Sequence, residues 1–238
     1  MRGQRETLVL LPGMLCDARL FGPQIEALSS ICDIVVPELV QPSIAEMASH
    51  VLNLIPDRQF NLAGLSMGGI VAMQIVAAAP ERVARLALLD TNHHADLPQK
   101  RRVRDRQIAD VRNGRLRDVV TDEMKPNYLA KGNSGNRALL ALLIEMAMDC
   151  GEETFIAQSL ALRDRGDMSN AISSYKGTSL VLCGEEDRLC PPVLHQSMKK
   201  ILDHAELIHV HGAGHISTLE NPGAVTSALA AWLQRPVR

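Results

Sequence analysis

Phe60-Asn61-Leu62-Ala63-Gly64-Leu65-Ser66-Met67-Gly68-Gly69-Ile70-Val71-Ala72-Met73 is the stretch that decides how this chain reads. Its first six residues are a short apolar run suited to a buried strand, and Ile70 to Ala79 runs as a small-residue helix stopped by Pro80. Almost nothing separates the two, so Gly64-Leu65-Ser66-Met67-Gly68 must be a sharp strand-to-helix turn. Such a turn strains the backbone of its central serine, and glycines stand two before and two after it because larger side chains would collide. The hydroxyl is thereby aimed beyond the carboxyl end of the strand, at a helix N-terminus that favours negative charge. The bland alternative is a glycine-rich turn that merely contains serine; the strand–turn–helix context argues against it.

The flanking sequence repeats the same alternation. Thr7 to Leu11, ended by Pro12-Gly13, is a strand candidate, as are Asp33 to Pro37, Arg85 to Asp90, Thr178 to Cys183 and Glu206 to Val210. These runs are continuously apolar, as expected where helices cover both faces of a parallel sheet. Ser43, three residues before Glu46, forms a capping box at the start of one helix, and a last helix follows Asn221-Pro222 and runs to Trp232. The predicted class is therefore α/β, with a mostly parallel sheet flanked by helices.

One stretch breaks the rhythm. Residues 93–174 show helical patterning and no strand, which predicts a helical cap inserted into a core made of residues 1–92 and 175–238. Within it, Ala138 to Met148 is apolar almost all the way round. Such a helix needs burial on more than one side, either against a substrate pocket or simply on the core. The basic run Lys100 to Arg106 reads first as a solvated helix face; the sharper reading is recognition of an anionic substrate.

Composition narrows the function classes. With 25 Lys+Arg against 27 Asp+Glu, the net charge of -2 gives no support to nucleic-acid binding. The five cysteines are odd in number and widely spaced, with no C-x-x-C, so neither a disulfide framework nor a structural zinc site is indicated. No leader anatomy opens the chain and no apolar run approaches the ~20 residues of a membrane span. The expectation is a soluble cytoplasmic protein acting on a small molecule, without metal or cofactor.

A serine hydroxyl needs a base. Of eight histidines, His215 has the best address, directly after the turn Gly212-Ala213-Gly214 that ends the last strand. His209 and His211 lie on or beside that strand and read as partly buried polar side chains; a metal site of His209, His211 and His215 has no carboxylate cluster to accompany it. His93-His94 read as a polar loop. The base in turn needs an acid to fix its tautomer. Asp187, in Gly184-Glu185-Glu186-Asp187-Arg188 after the fifth strand, is the choice, with Glu185, Glu186 and Asp90 as competitors near strand ends. For an oxyanion hole, the backbone N–H of Met67 and that of Met14, in the loop after the first strand, are the candidate donors.

The chain order Ser66, Asp187, His215 and the segments Pro12–Asp17, Gly64–Gly69, Gly184–Asp187 and Gly214-His215 resemble the α/β-hydrolase superfamily, in particular small bacterial esterases, perhydrolases and enol-lactonase-like members. Ser217 to Pro222 is similar to the segment after the histidine in that group. The resemblance spans nearly the whole chain and implies a serine triad, no cofactor, and a family sheet of which this chain lacks the leading antiparallel hairpin. One departure is Pro12-Gly13, where the family often has His-Gly. The expected activity is hydrolysis of a carboxylic ester of a largely apolar substrate through an acyl-enzyme. Lactone, thioester or C–C hydrolysis, or peracid formation, by the same residues stays open, as does a non-catalytic receptor on this fold.

Overall fold

The computed structural model describes residues 5–55 and 59–238; the first four residues, read above for a leader, lie outside them. Six strands form one sheet: β1 (Thr7–Leu11), β2 (Asp33–Val35), β3 (Phe60–Leu65), β4 (Val83–Leu89), β5 (Thr178–Gly184) and β6 (Ala205–Val210), in the order β2-β1-β3-β4-β5-β6. Every pairing is parallel, and no antiparallel pair occurs among the described residues. The continuous apolar runs have a direct cause. Along β1, Val9 and Leu11 enter one core while Leu8 and Leu10 enter the other; β4 divides in the same way, with Leu86 and Leu88 on one side and Ala87 and Leu89 on the other. Alternate side chains point to opposite faces, and both faces are covered.

The helices are α1 (Gly22–Leu28), α2 (Ile44–Leu54), α3 (Met67–Ala78), α4 (Pro98–Arg112), the single turn α5 (Leu116–Asp118), α6 (Arg137–Asp164), α7 (Ser169–Ser174), α8 (Pro192–Ile201), the short α9 (Ser217–Glu220) and α10 (Pro222–Leu233). One core holds the sheet against α2 and α3; the other holds it against α1 and α10. Ser43 caps α2 as its sequence indicates: its Oγ accepts the Glu46 N–H and donates to the Glu46 carboxylate, 3.1 and 3.0 Å.

Most element boundaries shift by a few residues at most from expectation, and two of the shifts have a direct physical reason. β2 ends at Val35, where its ladder to β1 ends, short of Pro37, which has no N–H to donate. The third helix begins at Met67 instead of Ile70, because the turn at Ser66 leads straight into it.

Between β4 and β5 every regular element among the described residues is helical. α6 is two helices joined at Gly151, whose φ of 79° and ψ of 178° break the run. Only a glycine adopts such a backbone without strain. Ala138 to Met148 is not enclosed on all sides: Leu143, Met146 and Ala147 are buried, whereas Ala138, Ala141 and Glu145 are exposed. It packs on the core with one face, at the i, i+3, i+4 spacing of an ordinary surface helix.

The strand order reverses direction about β1 and β3, and in open α/β sheets ligands bind in the crevice beyond the carboxyl ends at such a point. The loop after β1 and the turn after β3 meet there.

Candidate active site

Ser66 sits between β3 and α3 with φ 55° and ψ -115°, a conformation rare for any residue but glycine. Neighbouring strand ends hold it there. Its N–H donates to Leu89 O at 3.0 Å, and its own carbonyl accepts the Thr91 hydroxyl at 2.7 Å. The two glycines of the motif are steric necessities. A Cβ on Gly64 would lie 2.3 Å from Gly68 O, and one on Gly68 would lie 2.0 Å from Leu11 O.

The structure brings three sequence-selected side chains into one line. Ser66 Oγ donates to His215 Nε2 at 2.8 Å, and His215 Nδ1–H donates to Asp187 Oδ2 at 2.8 Å. A carboxylate only accepts, so its position places the ring proton on Nδ1 and leaves Nε2 as acceptor. Asp187 is fixed by its other oxygen, which accepts the Leu189 and Cys190 N–H groups at 2.8 and 2.9 Å. Burial by itself would lower the His215 pKa. The Asp187 carboxylate outweighs it, through its charge and the hydrogen bond, and holds the imidazole above its ordinary value.

The loop carrying His215 is tied down by groups that the sequence did not point to. The His215 N–H donates to Tyr128 O at 2.7 Å, and the Tyr128 ring meets the imidazole edge-on at 5.2 Å. Glu220 joins the two segments: one oxygen accepts from Gly214 N–H at 2.7 Å and the other from Ala130 N–H at 2.6 Å.

Met14 and Met67 both line the cavity over Ser66. Their backbone N–H groups have no acceptor among the described residues, whereas the next donor, Leu15 N–H, is taken by Gln158 Oε1 at 2.8 Å. Leu15 has a φ of 53°, and Gln158 also donates to Leu39 O at 2.7 Å. A buried amide from α6 thus clamps the β1 loop. Pro12 has no N–H, but neither candidate donor is at that position.

The competing acids are engaged elsewhere. Asp90 is fully buried, accepting from Gly184 N–H at 2.8 Å and bonding Ser217 Oγ at 2.5 Å. Burial, reinforced by the Asp187 charge, pushes its pKa up to about 8. Glu186 accepts the Lys131 N–H, and Glu185 pairs with His211. The metal grouping of His209, His211 and His215 does not form, since His209 lies against Cys183 and His211 against Glu185. Among the described residues, the trio with converging donor atoms is Asp187, Cys190 and His215. Two of these are committed to each other, and burial pushes the Cys190 thiol up to about 12. His94 pairs with Asp167 and stacks on His93, away from this line. His195 is a buried neutral ring whose Nε2 accepts the Thr91 N–H at 3.0 Å, and burial pushes it down to about 4.

A cavity of about 240 Å³ opens over Ser66 and His215. The core contributes Met14, Met67 and Ile70 to it. The other wall comes from 93–174, with Lys100, Val103, Arg104 and Gln107 on one face of α4, together with Asp96 and Arg165. Of the basic run, Lys100 and Arg104 line the cavity, whereas Arg101, Arg102 and Arg106 lie on a solvated face as expected. No residue of 138–148 lines it.

Residues 8–228 match the family described as "Alpha/beta hydrolase family". Among curated proteins, the biotin biosynthesis bifunctional protein BioHC of Cellvibrio japonicus is 25% identical over 243 residues, covering 94% of this chain. The chain spans about half (47%) of that protein's length. Among solved structures, a thermophilic esterase from Thermogutta terrifontis superposes with a TM-score of 0.90 at 25% identity, over 98% of this chain and 90% of that one. The enol-lactonase of Burkholderia xenovorans LB400 shares the fold with a TM-score of 0.87 at 21% identity, over 99% and 94%. No described helix is long and apolar enough to cross a membrane. The six-stranded parallel sheet, the strained serine at its switch point and the family match over nearly the whole chain agree: the protein belongs to the α/β-hydrolase family.

Proposed function

We propose that the protein is a serine hydrolase that cleaves a carboxylic ester through an acyl-enzyme, with Ser66 as nucleophile, His215 as base and Asp187 as orienting acid. The observation that carries this reading is the unbroken relay of two 2.8 Å hydrogen bonds from Ser66 Oγ through His215 to Asp187. Ser66 attacks the ester carbonyl as its proton passes to His215 Nε2. The imidazolium that forms is stabilised by Asp187, which stays ionised. Negative charge developing on the carbonyl oxygen is met by the Met14 and Met67 N–H groups, each such donor being worth roughly 10²–10³ in rate. His215 then returns the proton to the departing alcohol. A water, deprotonated by the same nitrogen, releases the acid and restores Ser66.

The helices of 93–174 act in this reading as a cap that closes the cavity. A cavity of about 240 Å³ favours a small or medium substrate over a long lipid. Ring opening of a small lactone uses the same steps, and a cavity of this size suits a compact ring equally well. Fluorophosphonate labelling, with Ser66→Ala and His215→Ala beside the wild type, tests the nucleophile. Labelling of wild type alone is the expected result, and equal labelling of Ser66→Ala would remove Ser66 from the role. A panel of short p-nitrophenyl esters, lactones and acyl thioesters then separates ester cleavage from the related reactions.

A further inference from the structure

The cavity has a charged wall that ester cleavage itself does not require. Asp96 is fully buried and carries two guanidinium groups: Arg104 Nε at 2.6 Å, and Arg165 Nη2 at 2.8 Å in a charge contact outside hydrogen-bond alignment. Arg165 is spent, its Nε donating to His94 O at 2.9 Å and its Nη1 to Leu162 O at 3.5 Å. Arg104 is not. Beyond Asp96 it has only the Met14 thioether, 3.9 Å from Nη1, and Nη2 has no acceptor among the described residues. Glu123, the other carboxylate on the cavity, is taken by Arg106 and Gln107. Lys100 lines the same wall and has no carboxylate within ion-pair distance among the described residues.

One carboxylate therefore answers two guanidiniums, and with Lys100 the wall carries about two uncompensated positive charges on the cavity that also holds Ser66. A partly buried charge without a partner is costly. An ion pair serving only to fasten the cap would need one arginine. What remains open is a planar pair of N–H groups with its stem already fixed, which matches the two oxygens of a carboxylate.

We propose that the substrate carries, besides the bond cleaved at Ser66, a free carboxylate that docks on the Arg104 guanidinium, with Asp96 and Arg165 as positioning residues. This rests on the hydrolase reading above and narrows it to half-esters of dicarboxylic acids and to carboxylated lactones of similar size. It departs from the expectation of a largely apolar substrate: the methionine-rich side of the cavity takes the carbon chain, and the wall from 93–174 takes the charge.

The test compares the monomethyl esters of succinic, glutaric and adipic acids with chain-matched neutral methyl esters. Binding to Ser66→Ala is measured by calorimetry, and hydrolysis by the wild type through methanol release. At one of the three chain lengths, the half-ester should bind roughly tenfold or more tightly and be cleaved with a correspondingly higher kcat/KM. Arg104→Gln should abolish the preference, and Arg104→Lys, which keeps the charge and loses the fork, should retain part of it. Asp96→Asn should act mainly through KM for the half-ester. Thermal melts show that each variant is folded, and the lysine variant decides if the glutamine variant is not. No preference in the wild type at any length, or a preference that survives Arg104→Gln, would overturn the proposal. The two readings fail separately: labelled Ser66 without a half-ester preference refutes the carboxylate site alone. A preference lost in Arg104→Gln with Ser66 unlabelled refutes the serine hydrolase and leaves the carboxylate site standing.

Discussion

Replacing Gln158 by leucine removes the link between α6 and the loop that carries the proposed oxyanion donor Met14. The side chain makes two buried bonds, accepting from Leu15 N–H at 2.8 Å and donating to Leu39 O at 2.7 Å. Each orphaned buried group costs about 1–3 kcal/mol. Gln158 and Leu39 both line a second cavity of about 370 Å³, through which water can reach the freed Leu39 carbonyl. The lower part of the range is therefore the appropriate one, roughly 2–3 kcal/mol in total. For a domain of this size that is a fall of roughly 5–10 °C in Tm. Activity should fall for a separate reason. Leu15 keeps its left-handed φ of 53° under the pull of that hydrogen bond, and relaxation toward the β or α region would rotate the peptide carrying its N–H and shift the loop beside Met14. Complete loss of an oxyanion donor costs roughly 10²–10³, so partial displacement should lower kcat about tenfold with a smaller change in KM. Gln158→Glu is the informative partner, because a carboxylate still accepts from Leu15 N–H but cannot donate to Leu39 O. It should keep most of kcat while losing stability. Ester hydrolysis and thermal melts of both variants check this. A Gln158→Leu protein that melts lower yet turns over at the wild-type rate would refute the clamp.

Asp187→Asn should slow turnover by about 10⁴, whereas Asp90→Asn should lose far less, since Asp90 bonds Gly184 and Ser217 and not the imidazole. Steady-state kinetics of the pair decides which acid serves His215. The pH profile gives a second measure. In the proposed mechanism His215 works as a base in its neutral form, and Asp187 raises its pKa, so the acid limb of kcat/KM should inflect above the ordinary histidine value of about 6.5. In Asp187→Asn, burial is left as the main influence, and the inflection of the residual activity should move to lower pH. Gly68→Ala puts a Cβ 2.0 Å from Leu11 O, a backbone atom that cannot step aside. The expected loss is on the order of 3 kcal/mol or more, seen as poor folding or a melt lower by roughly 6–12 °C. Gly132→Ala, where nothing lies within 4 Å, is the control and should melt like the wild type.

The four central strands, β1, β3, β4 and β5, were readable because each is buried along its whole length, with both sides covered. Ser66, Asp187 and His215 were readable for a related reason. Each follows the carboxyl end of a strand, and a parallel sheet gathers those ends along one edge. Gln158 could not be found in this way, since it lies 143 residues from the N–H that it caps, and only the docking of α6 reveals the pair. The charge run on α4 did contain a usable signal. Lys100, Val103, Arg104 and Gln107 follow the i, i+3, i+4, i+7 spacing, so two cations share a face with an apolar residue, while Arg101, Arg102 and Asp105 face solvent. Reading the run as a block of charge hid that division. Asp96 gave no signal at all, because one aspartate in a loop acquires meaning only when Arg104 from the middle of α4 and Arg165 just past the end of α6 converge on it.

Recognition and chemistry meet at two adjacent residues. The Arg104 fork touches the Met14 side chain, and Gln158 holds the Leu15 N–H, so both contacts, from α4 and α6, act on the peptide units that present the proposed oxyanion donor. A carboxylate drawn onto Arg104 should therefore settle this loop as well as anchor the substrate. If so, Arg104→Gln lowers kcat for half-esters in addition to raising KM, and its effect depends on whether the clamp is intact. Once Gln158→Leu has loosened the loop, removing Arg104 has less order left to destroy. The double variant should then lose less than the two single losses combined, by roughly 1 kcal/mol of coupling in log kcat/KM for the half-ester. Measured on the chain-matched neutral ester, which places no charge on Arg104, the same cycle should close with little coupling. Equal coupling for both substrates would mean that the two variants disturb the fold together, and the connection between the charged wall and the oxyanion loop would be lost.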